Sequence, residues 1–342
     1  MASLLPLLIT PVTQKVAPIE SLLTNLFPKV SREPPPLFEP TNPAKDGLEC
    51  IQDCSSCDIT YPEKFRINET EHLYGTVMPW ERHLLVATGK ANWINNFMSE
   101  EGSIGEAIAK THGHMVEKNF MLSASNIPIP NYGGEDSCGD EPISSVLLLP
   151  AFVIVDCVTP SRTQDFITHL VNPSPCNTSS LLPLNSLSVP PESGLKIRSC
   201  PHDYLILLCS HRTRDSRCGQ SAPLLKKEFE RHLRQQDLYR DLLDERPGGV
   251  GIHFVSHFGG HKFAANVIVY RRTPVLPHQA RDSTDGAASI PLREAKQCIW
   301  LARVRPEDCE NIVRYTILQG KVVKPDRQLR GGFDRERCVT SW

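Results

Sequence analysis

Apolar residues in this chain gather into short unbroken runs more often than into long amphipathic stripes, and such runs are what buried strands leave in a sequence. HLLVATGK (83–90) reads as a strand closed by a glycine turn. SVLLLPAFVIVDCV (145–158) is too long and too β-branched for one strand, and Pro150 predicts two strands or a break. DYLILLCS (203–210) is almost continuously apolar, as strands covered on both faces are. GVGIHFVSHF (249–258), KFAANVIVYRR (262–272) and QCIWLARV (297–304) add three more strands. Helical spacing is clearest in SAPLLKKEFERHLRQQDLYRDLL (221–243). There Ser221 can cap, Pro223 is tolerated in the first turn, and Leu225, Phe229 and Leu233 share a stripe. Weaker helices are predicted around 93–113, at TQDFITHLV (163–171) and at PEDCENIVRYTIL (306–318).

The order β-α-β-β-β-α after residue 197, with short links, predicts an α/β or α+β domain. Five divisions follow. Residues 1–45, rich in proline, read as a disordered lead-in, and 46–172 as a smaller N-terminal α/β domain. Residues 173–196, with five prolines and no period, read as a linker. Residues 197–320 form the C-terminal domain and 321–342 a tail ending in Trp342. HLLVATGK and YLILLCSH are candidate equivalent first strands of two related halves.

A length of 342 residues, 40% hydrophobic and 22% charged, suits two globular domains and excludes a wholly disordered chain. Net charge of −2 supplies no basic field, so no nucleic-acid partner is expected. VLLLPAFVIV (146–155) is about half a membrane span, and MASLLPLLITPV lacks the positive start of a signal peptide. No membrane partner is expected; the cytoplasm is the expected compartment, with mitochondria as the alternative. Twelve cysteines do not follow the dense pattern of a secreted disulfide scaffold, which leaves metal binding, redox chemistry or burial.

HFGGHKFAAN (257–266) holds two histidines around paired glycines. Phe258 stands where a zinc hydrolase of the H-E-x-x-H type has its general base, and two glycines weaken a helix, so a bent loop is expected. Cys209 ends a strand, and Cys218 precedes the helix expected at Ser221, near its positive dipole end and near Arg212, Arg214 and Arg217. Loops after strands converge on one sheet edge, so Cys209, Cys218, His257 and His261 can meet there as a soft four-ligand site. The spacing is neither that of a zinc finger nor that of a Rieske centre. Donor chemistry ranks zinc first and an iron–sulfur cluster second, and leaves open the absence of any metal.

A second cysteine group, CIQDCSSC (50–57), contains Cys54-x2-Cys57, a candidate dithiol or zinc pair, though it follows a proline-rich stretch instead of a strand. Cys138, Cys157, Cys176, Cys200, Cys298, Cys309 and Cys338 lack ligand-like spacing. GGVG (248–251) lacks the rest of a phosphate loop, and HGH (112–114) lacks partner ligands.

CSHRTRDSRCG, LYRD, HFGGHKFAAN, IWLARV and the closing SW together resemble the sucrase/ferredoxin-like family, most densely over 203–304. The resemblance implies a thioredoxin-like ferredoxin domain holding a [2Fe–2S] cluster, with Cys209 and Cys218 on one iron and His257 and His261 on the other. Gly259 and Gly260 would bend the loop so that both imidazoles face one iron. Lys262, Phe263 and Asn266 are candidate supports, Phe263 by packing. Imidazole ligands imply a potential above that of plant-type ferredoxins, falling as pH rises through the histidine pKa values. The implied role is electron transfer or redox sensing, with donor and acceptor unknown, more an electron carrier than a stand-alone enzyme. No paired-carboxylate site supports the "sucrase" half of the family title. The terminal Trp342, on what reads as an exposed charged tail, resembles a tag for cytosolic iron–sulfur cluster-targeting machinery. Two rivals remain: a thiol-disulfide oxidoreductase using Cys54 and Cys57, and a zinc-stabilised scaffold.

Overall fold

One mixed sheet organises the chain in this computed structural model, which describes residues 36–113, 120–131, 141–181, 187–272 and 293–342. Cys138, His114, most of the proline-rich lead-in and part of the linker lie outside the described residues. Leu37 to Trp342 form one compact unit.

Its N-terminal half contributes β1 (Arg82–Ala87), β2 (Phe120–Ser125), β3 (Ser144–Leu149), β4 (Val153–Val158) and β5 (Lys196–Ser199). The C-terminal half contributes β6 (Tyr204–Cys209), β7 (Tyr239–Arg240), β8 (Val250–Val255), β9 (Val267–Arg272), β10 (Ala295–Leu301), β11 (Leu329–Asp334) and β12 (Val339–Ser341). The α-helices are α1 (Pro43–Asp46), α2 (Ile104–Gly113), α3 (Thr163–Phe166), α4 (Ser216–Arg234), α5 (Cys309–Asn311) and α6 (Pro325–Gln328). α3 and α5 continue as π-helical turns, Ile167–Val171 and Ile312–Ile317. Pro150 falls in the break between β3 and β4, where an imide without N–H interrupts pairing. No helix among the described residues is long and apolar enough to cross a membrane.

The strand order is β12-β11-β10-β9-β6-β8-β2-β1-β3-β4-β5, with β7 beside β8. A repeat is visible in it. β1 runs parallel to β2 and antiparallel to β3, which pairs antiparallel with β4. β6 likewise runs parallel to β8 and antiparallel to β9, which pairs antiparallel with β10. A helix joins the first two strands each time, α2 in one half and α4 in the other. The α/β (α+β) expectation therefore holds, and HLLVATGK and YLILLCSH occupy equivalent first-strand positions. The halves meet where Ser125 of β2 pairs with Val255 of β8, so the sheet runs from one to the other.

Several expectations are corrected. The longest helix begins at Ser216, with Asp215 as its cap, and ends at Arg234. Ser221 lies inside it and donates to the Arg217 carbonyl at 2.9 Å. Residues beyond Arg234 turn away to form β7, because Val250 donates back to Leu238 O at 2.7 Å. The lead-in drawn to residue 45 ends in core: Leu37 and Phe38 are buried with Leu208, Val269 and Phe229. The C-terminal segment is no tail. Every residue of β11 is buried, and Arg330 and Arg335 are covered because each guanidinium has several acceptors. Charge alone made that segment look solvated.

Candidate metal centre

β6 and β8 are adjacent parallel strands, so the loops that follow them leave the same sheet edge. Cys209 is the last residue of β6, and His257 lies two residues past β8. Asp215 ends the intervening loop, its carboxylate accepting from Arg217 N at 2.9 Å, and this places Cys218 in the first turn of α4. Both cysteines are buried.

Donor atoms of Cys209, Cys218 and His257 all lie within 4.8 Å of one another. Cys209 Sγ is 3.9 Å from His257 Nδ1. On the far side of that ring, His257 Nε2 is 3.2 Å from His261 Nδ1, with ring centroids 5.0 Å apart. The donors grade outward: the cysteines are covered, His257 is half-buried and His261 is exposed.

Burial and close neighbours set the protonation of two of these donors. A hydrogen bond with Cys218, together with burial, holds the Cys209 thiol protonated well above its ordinary range. Burial and the neighbouring His261 push His257 down to about 4, so its ring is neutral and keeps a lone pair. Two thiols and two imidazoles, converging from one edge, fit a thiophilic metal or cluster. Of the arginines expected to sharpen the thiols, Arg217 is ion-paired with Asp215 at 2.7 Å and interacts with Cys218 more weakly, while Arg214 acts on His257. Arg212 lays its aliphatic stem against Gly219, where a Cβ would come within 2.5 Å of it.

The glycine pair bends the loop, with φ of +96° at Gly259 and +71° at Gly260. What a side chain at Gly260 would meet is Arg330, whose guanidinium fills that space. Arg330, in β11, went unnoticed in the sequence. It donates to Asn266 Oδ1 at 2.9 Å, Gly259 O at 3.2 Å and Thr76 O at 3.0 Å, and lies 4.8 Å over the Trp300 ring. Burial lowers its pKa to about 10, and Cys209 pulls the other way. Asn266 also donates to Gly260 O at 3.1 Å and accepts Cys209 N–H through its carbonyl at 3.3 Å. It thereby joins the histidine loop to a cysteine. Phe263 packs with Leu73 and Ala302, as expected, while Lys262 reaches out to Glu71.

His211 is the other residue the sequence did not mark. It is buried, and its Nδ1 accepts His257 N–H at 3.2 Å. The N-terminal half supports the same loop. Ser210 Oγ donates to Ala91 O at 2.7 Å, and Asn92 exchanges two hydrogen bonds with Thr213. Both residues lie within CSHRTRDSRC, but only their partners in 91–94 give them a role. Trp342 is half-buried, packed 4.8 Å from the Trp80 ring and 6.5 Å from Phe333.

Comparison with known proteins adds the lineage. The family model described as sucrase/ferredoxin-like matches residues 73–331. Actin patches distal protein 1 of Saccharomyces cerevisiae is 42% identical over 40% of this chain, which spans only 35% of that relative. Altered inheritance of mitochondria protein 32 is 26% identical in Clavispora lusitaniae, over 79% of this chain and 89% of the relative. Its namesake in Debaryomyces hansenii is 28% identical, over 82% and 92%. No solved structure matches the chain significantly.

Proposed function

This chain belongs to the sucrase/ferredoxin-like family, and we propose that it is a redox protein holding a [2Fe–2S] cluster through Cys209, Cys218, His257 and His261. The observation that supports this reading best is the convergence of three of those donors within 4.8 Å, with His261 beside them. A cluster so held takes up and releases one electron.

The chain's own residues prepare the rest. The two thiols must lose protons to bind, and because a hydrogen bond with Cys218 and burial hold the Cys209 proton, binding tightens as pH rises. His211, Asn266 and Arg330 hold the histidine loop from below by bonds to backbone and side chains. Arg330 is a buried cation that interacts with Cys209, and a positive charge there favours electron uptake. The exposed His261 edge is where a partner approaches closest, so electron exchange runs through the imidazole side. Recognition of Trp342 by cluster-targeting machinery belongs to the same proposal. It requires the ring to leave Trp80, and the iron content of the Trp342→Ala chain made in cells tests it.

The deciding experiment is optical and EPR spectroscopy of freshly purified protein, with iron, sulfide and zinc assayed on one sample. Visible absorption bleached by dithionite, changed in His257→Ala and His261→Ala, supports the cluster. Stoichiometric zinc at these residues, with no sulfide, would replace it with a zinc site.

A further inference from the structure

Cys54-x2-Cys57, left without a role by the cluster reading, does not stand alone. Donor atoms of Cys54, Glu228 and His232 lie within 4.8 Å of one another. Cys54 Sγ is 3.9 Å from His232 Nε2, which is 3.1 Å from Glu228 Oε1. Cys57, on the same loop, donates its thiol to Ile59 O at 3.6 Å, and the neighbouring Glu228 carboxylate adds to burial in raising its pKa to about 11. Glu228 and His232 are four residues apart on α4, on the buried stripe that also carries Leu225, Phe229 and Leu233. A carboxylate and an imidazole on such a stripe are costly unless something pairs with both.

The structure also marks where a cation belongs. Nη2 of Arg231 touches all three donors, at 3.4 Å from Cys54 Sγ, 3.1 Å from His232 Nε2, and ion-paired with Glu228. Its side chain is one-third exposed, so it has room to swing outward. The cysteine loop is fixed independently of that arginine. Cys54 N–H donates to Glu307 O at 3.0 Å, Cys57 N–H to Cys54 O at 3.3 Å, and Asn311 to the carbonyls of Glu49 and Gln52. Bonds of about 2.0–2.3 Å to zinc place tetrahedral ligands roughly 3.3–3.8 Å apart. Two of the observed edges, 3.9 and 3.1 Å, are already close to that spacing.

We propose that Cys54, Cys57, Glu228 and His232 form a second metal site, for zinc, separate from the cysteine–histidine centre. Two thiols, a carboxylate and an imidazole suit a borderline-soft d¹⁰ ion that needs four ligands. On binding, each thiol gives its proton to solvent, and the site becomes two thiolates, one carboxylate and Zn²⁺, with a net charge of −1. Arg231, displaced from the centre, remains as its counter-ion. The metal staples the 48–57 loop to the C-terminal part of α4, whose first turn carries Cys218 about 15 Å away along the helix. One helix then serves both centres.

The test uses the full chain. Protein stripped with a chelator is titrated with zinc alone, and with cobalt(II) alone to read the bands of a tetrahedral thiolate site. Cys54 and Cys57 are alkylated with and without zinc in the wild type, so that this readout does not depend on a variant folding. Expected are one zinc per chain when Cys209→Ser and Cys218→Ser remove the other centre, and protection of Cys54 and Cys57 by zinc in the wild type. Cys57→Ser and His232→Ala should each lower zinc affinity at least about 100-fold. Cys209→Ser with Cys218→Ser should leave this zinc in place, whatever becomes of the other centre. Zinc affinity in Arg231→Gln should be no weaker than in the wild type. Equal alkylation with and without zinc would overturn the proposal and make Arg231 the permanent counter-ion. Zinc lost only in the Cys209 and Cys218 variant would overturn it as well.

Discussion

His211 carries the backbone of His257: the His257 N–H donates to His211 Nδ1 across 3.2 Å. The other nitrogen of that ring, Nε2, donates to the carbonyls of Trp93 and Ile94 at 3.1 and 3.0 Å. The proton is thereby placed on Nε2, and a loop of the N-terminal half sets the position of a candidate ligand in the C-terminal half.

His211→Ala removes that support and leaves buried backbone groups without partners. The expected loss is about 1–3 kcal/mol of stability and roughly 10- to 100-fold in metal affinity. Denaturant unfolding, together with iron retained after a chelator challenge, measures both. Full iron retention would show that the ring does not position His257.

Gly260→Ala and Gly259→Ala separate backbone strain from crowding. Both positions have positive φ, and a non-glycine residue there costs about 1–3 kcal/mol. Only at Gly260 does the added Cβ meet Arg330, while nothing lies within 4 Å at Gly259. Gly260→Ala should therefore couple to Arg330→Ala by about 1 kcal/mol or more in a double-mutant cycle, with Gly259→Ala close to additive. Equal coupling at the two positions would remove Arg330 as the reason for the second glycine.

Acid should destabilise the chain through His83 and His253. Burial lowers both to about 3, well below the ordinary histidine value. His83 sits between Tyr270 Oη at 3.1 Å and Ser123 Oγ at 3.0 Å, and His253 faces His202. Because the folded value is depressed, the unfolded chain binds more protons between about pH 3 and 6.5. Stability is complete above that window and falls as pH drops through it, by up to about 1.4 kcal/mol per pH unit for each ring. Urea midpoints from pH 7 to 4.5 should show the slope, and His83→Asn should reduce it. A flat profile would mean that the rings reach solvent.

Trp342→Ala should cost about 1–2 kcal/mol, because the indole lies 4.8 Å from the Trp80 ring. Trp80 fluorescence should change on the same substitution. No change in either would mean that the C-terminal ring is free in solution.

Much of this protein was legible in one dimension. Unbroken runs such as YLILLC and HLLVA named their own strands, since a strand covered on both faces has no polar side to show. The family motif supplied Cys209, Cys218, His257 and His261, and parallel pairing of β6 with β8 brings their loops to one edge. Arg330 and His211 were not legible, and Asn266 was legible only as a candidate support without a partner. Their roles rest on partners 64 residues away for Arg330 with Asn266 and 46 for His211 with His257, and spacing along a chain carries no record of such pairs. β11 was hidden for a related reason: a strand with an arginine, an aspartate and two glycines reads as solvated until the acceptors around the guanidinium are known. The sequence by itself determined that the unbroken apolar runs are buried strands and which residue types are available to bind metal. Tertiary structure decided which polar groups are buried, because the cost of burying a charge depends on groups that only folding brings within reach.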